Sequence, residues 1–382
     1  MRDRFPGVRD GWARFDGPAG TQMVDTAIGA VRHHLEGGTN ANSGGRFAAS
    51  IETGHLVDDA RETVARLFGA DAGGIVFGPN MTTMTLAFTR AVGRTLEPGD
   101  EVLGTQLDHD ANVTPWRLAA DDAGATMHLA PFDTASGRLP VERITERIGP
   151  RTRWVAITGA SNALGTIPDV TAVADAAHAA GARVFVDAVH LAPHRAIDVG
   201  ALHCDALATS PYKWYGPHAG VLWLTPELRT GLTPYKVRPA PSTPPERWET
   251  GTPAYEAIAG THAAAEFLLT TGMETLAKSE AELFAPLLDG LLALAGVEVH
   301  GPRDLEDRTP TVCFSVAGRT PDDVAAALAA ERIAVWGGHY YAVEAMAALR
   351  LAARGGAVRA GISCYTTADD VDRLLRAVAR LT

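Results

Sequence analysis

The chain has 382 residues, of which 46% are hydrophobic and 21% are charged. This composition is typical of a soluble globular protein with two or three domains. Its net charge of −11 argues against nucleic acid or an anionic membrane as the main partner. The three cysteines are well separated and form no CxxC pair, so we expect neither a disulfide framework nor a zinc site, and a reducing cytoplasm is favoured. No apolar run is long enough to cross a bilayer, and the first residues lack the core of a signal peptide.

The N-terminal part of the chain carries few periodic signals. Residues 1–54 are predicted to be irregular, apart from a short strand between Trp12 and Asp16. The adjacent histidines His33 and His34 would face different ways on a helix and lack a third partner, so no metal site is expected. The glycine-rich run 37–46 is predicted to be a loop at an entrance or a subunit contact.

A strand, a polar turn and a helix follow in the next segment. Apolar residues with helical spacing predict a helix over 55–68, and a strand over 74–77 leads into a helix that reaches about Arg90. Thr82 and Thr83 stand at the start of that helix, where free N–H groups and the helix dipole favour an anion. A simple N-terminal cap is the alternative reading of these hydroxyls.

Two further predicted strands end in polar residues. The strand at 101–103 leads to His109, and the strand at 154–158 leads to Asn162. His109 could equally be a hydrogen-bonded structural histidine. Asn162 could be a turn residue whose side chain bonds its own backbone.

The most informative stretch runs from Arg183 to Trp223. A buried strand over 184–186 ends on Asp187, and a second strand over 206–208 leads to Lys213. Open α/β sheets bind ligands where such strands end. Lys213 is one of only three lysines in the chain, and an amine can form a Schiff base where a guanidinium cannot. An ordinary loop lysine is the alternative.

The strand–helix units before Lys213 predict a mostly parallel sheet covered by helices on both faces. After a proline-rich segment, Thr252 lies in a Gly-Thr-Pro turn that could also cap the helix starting near Ala254. Helices over 274–294, 321–330 and 367–381 alternate with strands over 311–316, 333–336 and 358–363. Arg359 lies on an apolar strand, where a guanidinium requires an anion: either an internal carboxylate or a ligand.

The runs Val186-Asp187-Ala188-Val189-His190 and Ser210-Pro211-Tyr212-Lys213 resemble the class V aminotransferase family of pyridoxal-phosphate (PLP) enzymes, and most closely its cysteine desulfurase-like branch. The resemblance implies PLP as cofactor, with Asp187 at the ring nitrogen and Lys213 holding the cofactor as a Schiff base. It also implies an α/β fold of the type I PLP enzymes, with a mostly parallel seven-stranded sheet and a small C-terminal α/β domain. The expected divisions are an arm over 1–22, a large domain over 23–273 and a small domain over 274–382.

The same resemblance assigns roles to further residues. His109 would stack on the cofactor and Arg359 would bind the α-carboxylate of an amino-acid substrate. Because Thr252 would reach the phosphate in a neighbouring subunit, a homodimer with shared active sites is expected. Other expected cofactor contacts are Thr82, Thr83, Asn162, His190, Ser210 and Tyr212, and Asn42 and Tyr341 are expected near the substrate.

One departure from the family pattern bears on the reaction. Tyr341 stands where bacterial desulfurases carry the cysteine that holds a persulfide, and a phenol cannot accept sulfur as a thiolate does. The sequence therefore predicts β-elimination, a carbon–sulfur lyase reaction that releases sulfide or thiol directly. An aminotransferase or epimerase on the same scaffold is one alternative, and a catalytically idle PLP-binding protein is another.

Overall fold

The computed structural model describes all 382 residues. It contains thirteen strands, β1 to β13 in chain order: Ala13–Arg14, Ile75–Gly78, Glu101–Thr105, Thr126–Ala130, Thr152–Thr158, Arg183–Asp187, Ala206–Thr209, Gly220–Leu224, Val297–His300, Thr311–Val316, Ile333–Ala334, Trp336–Gly338 and Ala357–Gly361. Twelve helices, α1 to α12, accompany them: Asp25–Glu36, Ala48–Leu67, Met81–Gly93, Thr114–Ala123, Glu142–Thr145, Val170–Ala179, Pro226–Gly231, Tyr255–Thr271, Met273–Ala293, Pro321–Ala330, Val343–Ala348 and Ala368–Ala379.

The central sheet has seven strands in the order β2-β8-β7-β6-β5-β3-β4. Only β8 runs against its two neighbours, and the other adjacent pairs are parallel. The prediction of a mostly parallel seven-stranded sheet is therefore confirmed. β5 to β8 are almost completely buried, because helices cover both faces.

The register of the sheet brings the polar strand ends together. Thr158, the last residue of β5, pairs with Asp187, the last residue of β6, and Asp187 in turn pairs with Ala208 of β7. The loop that carries Lys213 leaves β7 directly after this point. The acid and the amine thus emerge at one edge of the sheet.

A second sheet with antiparallel pairing, in the order β12-β13-β10-β9, lies in the C-terminal part of the chain and packs with α9, α10 and α12 around its own core. The N-terminal β1 pairs in parallel with β11 next to this sheet, and Phe15 is buried in the same core. These contacts support our proposed division into an arm, a large domain and a small domain.

Three local predictions are wrong. Residues 1–54 are not irregular, since α1 occupies Asp25–Glu36 and α2 already begins at Ala48. The pattern was obscured because α1 buries only Ala27 and His34 and leaves Ile28 and Leu35 exposed.

The other two errors concern the length of an element. The sequence pattern over 139–148 predicts a helix, but the structure has only a single turn there, α5. The strand expected over 333–336 is divided between β11 and β12, which join different sheets. The extent of such short elements is set by their contacts with distant parts of the chain, which the local sequence pattern does not contain.

Candidate active site

Two cavities meet at Lys213. The inner cavity, of about 370 Å³, lies at the carboxyl ends of β5, β6 and β7 and is lined by Thr158, Asp187 and Ser210. The outer cavity, of about 530 Å³, lies between this edge and the small sheet and is lined by Trp336, Tyr341 and Arg359 among others. The residues common to both walls are Thr82, His109, Ala111, Asn162, Tyr212 and Lys213.

Lys213 ends the one-turn 3-10 helix that follows β7. Its side chain is partly buried, and Nζ donates a hydrogen bond to the carbonyl of Pro18. Loss of hydration, together with the nearby charge of Arg359, lowers the pKa of Lys213 to about 7, although Asp187 opposes the shift. A substantial fraction of this amine is therefore unprotonated, and nucleophilic, at neutral pH.

Asp187 is 4% exposed at the end of β6. Its Oδ1 accepts a hydrogen bond from the Val189 N–H at 2.9 Å, whereas no protein group donates to Oδ2. Burial raises the pKa of Asp187 to about 6, against the effects of the Val189 N–H and of Lys213. A cationic ring nitrogen placed against Oδ2 would favour the ionised carboxylate.

His109 is held as a neutral imidazole. Its Nδ1 accepts from the Ala111 N–H at 3.0 Å, which leaves Nε2 to carry the proton. Burial and the charges of Lys213 and Arg359 lower the pKa of His109 to about 3. Its ring stacks on that of Tyr341, with centroids 5.4 Å apart and planes inclined by 25°.

Asn162 follows β5 of the main sheet and contacts residues of the small sheet and of the loop after β12. Its Nδ2 donates to the Tyr340 carbonyl at 2.8 Å, and its own carbonyl accepts from Arg359 Nη1 at 2.8 Å. The Oδ1 atom is buried without a hydrogen-bond partner. A buried acceptor of this kind is costly unless a ligand donates to it, so Oδ1 marks a position for a ligand hydroxyl or amine.

His190 is buried between the two sheets. Its Nε2 lies 3.0 Å from Thr311 Oγ1 and 3.1 Å from Thr309 Oγ1, so these hydroxyls fix the ring while the side chain lines the inner cavity. Burial, followed by the proximity of His194, lowers the pKa of His190 well below its usual value. The ring is therefore neutral near pH 7.

Arg359, on β13, is 4% exposed and forms no ion pair with any carboxylate of the chain. The internal acidic partner that the sequence left open is absent. The guanidinium lies over the Tyr340 ring, 4.5 Å from its centroid, and burial lowers the pKa of Arg359 to about 10. A buried cation with free donors facing a cavity is suited to bind an anionic ligand.

The start of α3 forms one end of the inner cavity. Asn80 Oδ1 accepts from the Thr83 N–H at 2.8 Å, and Ser210 Oγ accepts from the Met81 N–H at 3.0 Å. Thr82 faces both cavities. The helix terminus and two hydroxyls thus converge on one position, which suits a phosphate group.

Three expected site residues lie elsewhere. Thr83 and Thr252 line a third cavity of about 220 Å³, on the other side of the α3 terminus. Asn42 is exposed and lines none of the three cavities, and its carbonyl accepts from Ser50 Oγ at 2.6 Å. Within one chain, therefore, these three side chains do not meet Lys213.

The structure adds site residues that the sequence analysis missed. His218 lines the inner cavity and stacks on Tyr212, with centroids 4.9 Å apart. Asn80 caps α3, Tyr340 lies under Arg359, and Trp336 stands at the outer cavity. His218 could have been found, because it lies five residues after Lys213 in the same loop. Trp336 stands where the resemblance places a family arginine, but its position at the outer cavity depends on the pairing of β12.

None of the three cysteines forms part of these walls, although Cys313 lies directly opposite Arg359 in the antiparallel pair β10–β13. Cys204 and Cys313 are buried, and burial raises the pKa of each thiol to about 12. Cys364 is partly buried beside Tyr215, and burial raises its thiol pKa as well. None of the three lines the inner or the outer cavity.

Comparison with known proteins decides the family. The family model for class V aminotransferases matches residues 14–374. The chain belongs to the class V aminotransferase family. Class V aminotransferases are PLP-dependent enzymes, so the predicted family and cofactor are confirmed.

Among sequence relatives of this class V chain, a cysteine desulfurase of Enterobacter sp. (strain 638) is 30% identical over 97% of the chain and 93% of its own length. A probable cysteine desulfurase of Mycolicibacterium paratuberculosis is 33% identical over 96% of the chain. The chain spans only 55% of that relative, and 61% of a similar protein of Mycobacterium leprae. Among solved structures, a cysteine desulfurase of Thermococcus onnurineus NA1 superimposes with a TM-score of 0.94 at 28% identity, covering 100% of this chain and 96% of the other.

The side chains present fit PLP. The inner cavity offers an amine at Lys213, an acceptor without a donor at Asp187 Oδ2, a buried unpaired acceptor at Asn162 and a helix terminus for a phosphate. These groups match the aldehyde, the ring nitrogen, the phenolic oxygen and the phosphate of the cofactor. No helix of the protein is both long and apolar enough to cross a membrane.

Proposed function

We propose that this class V protein is a carbon–sulfur lyase, which eliminates a sulfur-containing group from the β-carbon of an amino acid without storing sulfur on a cysteine. The observation that carries the proposal is the position of Lys213, between the buried carboxylate of Asp187 and the unpaired guanidinium of Arg359. Asp187, Asn162, His190, Ser210, Thr82 and Lys213 would hold the cofactor, and Arg359 would bind the substrate carboxylate.

PLP supplies an electron sink that allows a proton to leave the α-carbon of a bound amino acid. The side chains of this chain do the rest. Arg359 orients the carboxylate, and Lys213, whose amine has a pKa of about 7, takes the α-proton at Nζ near neutral pH. Asp187 keeps a ring nitrogen protonated, and neutral His109 covers the site without adding a third positive charge.

The absence of a protein persulfide is argued from the thiols. The chain has three cysteines, and burial disfavours the thiolate of each. The side chain on the outer cavity at the corresponding loop is that of Tyr341, 64% exposed and stacked on His109. Sulfur that leaves the β-carbon would therefore depart as sulfide or thiol.

We also propose a homodimer. Thr252 is exposed and separated from the inner cavity of its own chain, which fits a role at the phosphate of a second subunit. Exposed apolar side chains on α1 and α2 and between them, namely Leu35, Phe47 and Ile51, supply the kind of surface that a subunit contact buries. Light scattering should give twice the chain mass of 40.2 kDa, and a monomer with full cofactor affinity would contradict this proposal.

The function is tested by incubating PLP-loaded protein with L-cysteine and S-substituted cysteines, while sulfide or thiol, ammonia and keto acid are measured together. We expect the three products in equal amounts without an amino acceptor, and no sulfur on the protein by mass spectrometry. Lys213→Ala should abolish the reaction and the borohydride-trapped cofactor label, whereas Lys278→Ala should retain both.

Two results would overturn the proposal. Keto acid that forms only when an amino acceptor is added would indicate transamination. A protein-bound persulfide, formed once per turnover in the absence of reductant, would indicate a desulfurase that uses one of the three cysteines.

A further inference from the structure

The outer cavity is larger and more apolar than the removal of sulfur from cysteine alone requires. Its volume of about 530 Å³ exceeds that of the inner cavity, and its wall includes Trp336, Tyr340, Tyr341, Leu86 and Pro115. The only carboxylate on this wall, that of Asp110, accepts hydrogen bonds from the Thr114 hydroxyl, 3.0 Å from each oxygen. Most of the surface available to a substrate side chain is therefore aromatic or aliphatic.

Trp336 is aligned with the carboxylate site by the register of the small sheet. In the antiparallel pair β12–β13, Trp336 lies directly opposite Arg359. Side chains at directly opposed positions point to the same face of a sheet, so the indole stands beside the guanidinium. Its 52% exposure leaves an apolar surface next to the place where a substrate carboxylate would bind.

The loop after β12 presents its tyrosines at a cost in backbone strain. Tyr340 and Tyr341 have φ angles of +49° and +57°, in the left-handed region that non-glycine residues adopt only with strain. The Asp110 N–H donates to the Tyr341 carbonyl at 2.7 Å, and the Tyr341 N–H donates to His339 Nδ1 at 3.0 Å. These bonds hold the Tyr341 ring against His109, on the same cavity wall as Trp336.

From this wall we propose that the substrates are cysteine S-conjugates with an aromatic or bulky apolar group on sulfur. This inference rests on the proposed lyase function and specifies its substrate class. The amine of the conjugate would lie at Lys213 and its carboxylate at Arg359, and the S-substituent would extend between Trp336 and Tyr341.

The reaction is balanced without a further reagent. The Cα–H and Cβ–S bonds break, the electron pair of the C–S bond leaves with sulfur, and the sulfur takes up a proton to give the free thiol. One water adds to the three-carbon remainder, which yields pyruvate and ammonia. No oxidant, reductant or protein thiol takes part, in agreement with the absence of cysteines from the linings of both cavities.

The test uses matched ligands that lack a leaving group. Homophenylalanine and norvaline are the carbon analogues of S-phenylcysteine and S-methylcysteine. Calorimetric titration of PLP-loaded protein should show homophenylalanine binding at least about 10-fold more tightly, because its ring is removed from water. In turnover, S-phenylcysteine should be preferred over S-methylcysteine by a similar factor in kcat/KM, with thiophenol, pyruvate and ammonia as products.

Substitutions on the outer wall test whether its aromatic side chains cause the preference for homophenylalanine. We expect the ratio of the dissociation constants of norvaline and homophenylalanine to fall by about 5-fold or more in Trp336→Ala and in Tyr341→Ala. The main cause is weaker binding of homophenylalanine. Tyr341→Phe keeps the ring and should keep the preference. The matched control is Tyr235→Ala, because Tyr235 is as exposed as Trp336 and does not line the cavity.

The outcomes separate this inference from the proposed function. Equal affinity for the two ligands, with cofactor still trapped on Lys213 and thiol still released, overturns the substrate class and leaves the lyase standing. A preference that survives both alanine variants overturns the assignment to this wall. Absence of trapped cofactor and of any binding overturns both proposals.

Discussion

The inner and outer cavities share Lys213 but are built in different ways. The inner wall is polar and stands on the ends of buried strands and on the start of a helix, so each side chain is placed by the main sheet. The outer wall is more apolar, and its aromatic side chains come from an edge strand of the small sheet and a loop with positive φ angles. In our proposal the chemistry belongs to the wall on regular elements and substrate selection to the wall with irregular backbone.

The largest effect is expected when the negative charge of Asp187, on the inner wall, is removed. Asp187→Asn should lower kcat/KM by at least about 100-fold, because a charge-assisted hydrogen bond contributes about 1.5–3 kcal/mol and the ring nitrogen would also lose its proton. Steady-state kinetics and spectroscopic titration with PLP measure the effect. Asp108→Asn is the matched control, since this neighbouring carboxyl lines neither cavity and burial raises its pKa to about 8. Asp187→Asn with normal activity would contradict the role of Asp187.

Arg359 lines the outer cavity and donates to the carbonyl of Asn162, which lines both cavities, so its replacement sharpens the comparison. Arg359→Lys should raise KM for the amino acid by about 10- to 100-fold while kcat changes little, because a lysine cannot form two parallel hydrogen bonds to a carboxylate. The exposed Arg319, which donates to the backbone of Leu381, offers the control Arg319→Lys. A loss confined to kcat would show that Arg359 does not bind the substrate in its ground state.

The pKa of the Lys213 amine reports the effect of the Arg359 charge, which lies on the outer wall. Burial and Arg359 lower the pKa of Lys213 to about 7. In cofactor-free protein the rate of labelling by PLP, trapped with borohydride, should therefore rise about tenfold per unit up to pH 7 and level off above it, because only the unprotonated amine reacts.

Removing the positive charge in Arg359→Gln should move this midpoint to higher pH, and Lys236→Ala should leave the profile unchanged. A midpoint near 10 in the unmodified protein would contradict the geometry of the site.

The smallest expected effect concerns the cap of α3. Asn80→Ala removes the acceptor for the Thr83 N–H and should destabilise the protein by about 1 kcal/mol, which corresponds to a fall in Tm of about 2 °C. Thermal unfolding of the cofactor-free protein measures the change. Asn80→Asp keeps an acceptor for the Thr83 N–H and should keep the Tm, because Asp caps a helix about as well as Asn. An unchanged Tm in Asn80→Ala would contradict the capping role of Asn80.

The inner wall was largely accessible from the sequence for a physical reason. Apolar runs that end in a polar residue specify both a buried strand and the edge at which that residue emerges, as at Asp187. Trp336 and Tyr340 could not be assigned in this way, since the first depends on pairing with β13 and the second on a strained turn. The α1 helix was missed because its apolar residues do not form one buried face, with Ile28 and Leu35 exposed in the single chain.

The segment over 13–24 connects the two domains through the lysine loop. Its strand β1 pairs with β11, the Gly361 N–H donates to the Phe15 carbonyl, and the Thr21 N–H donates to the Tyr212 carbonyl. Pro18 packs so closely on Gly361 that a Cβ atom there would lie 2.3 Å from its ring, and its carbonyl accepts from Lys213. A displacement of the small sheet relative to the main sheet would therefore also move the Pro18 carbonyl that accepts the hydrogen bond from Lys213.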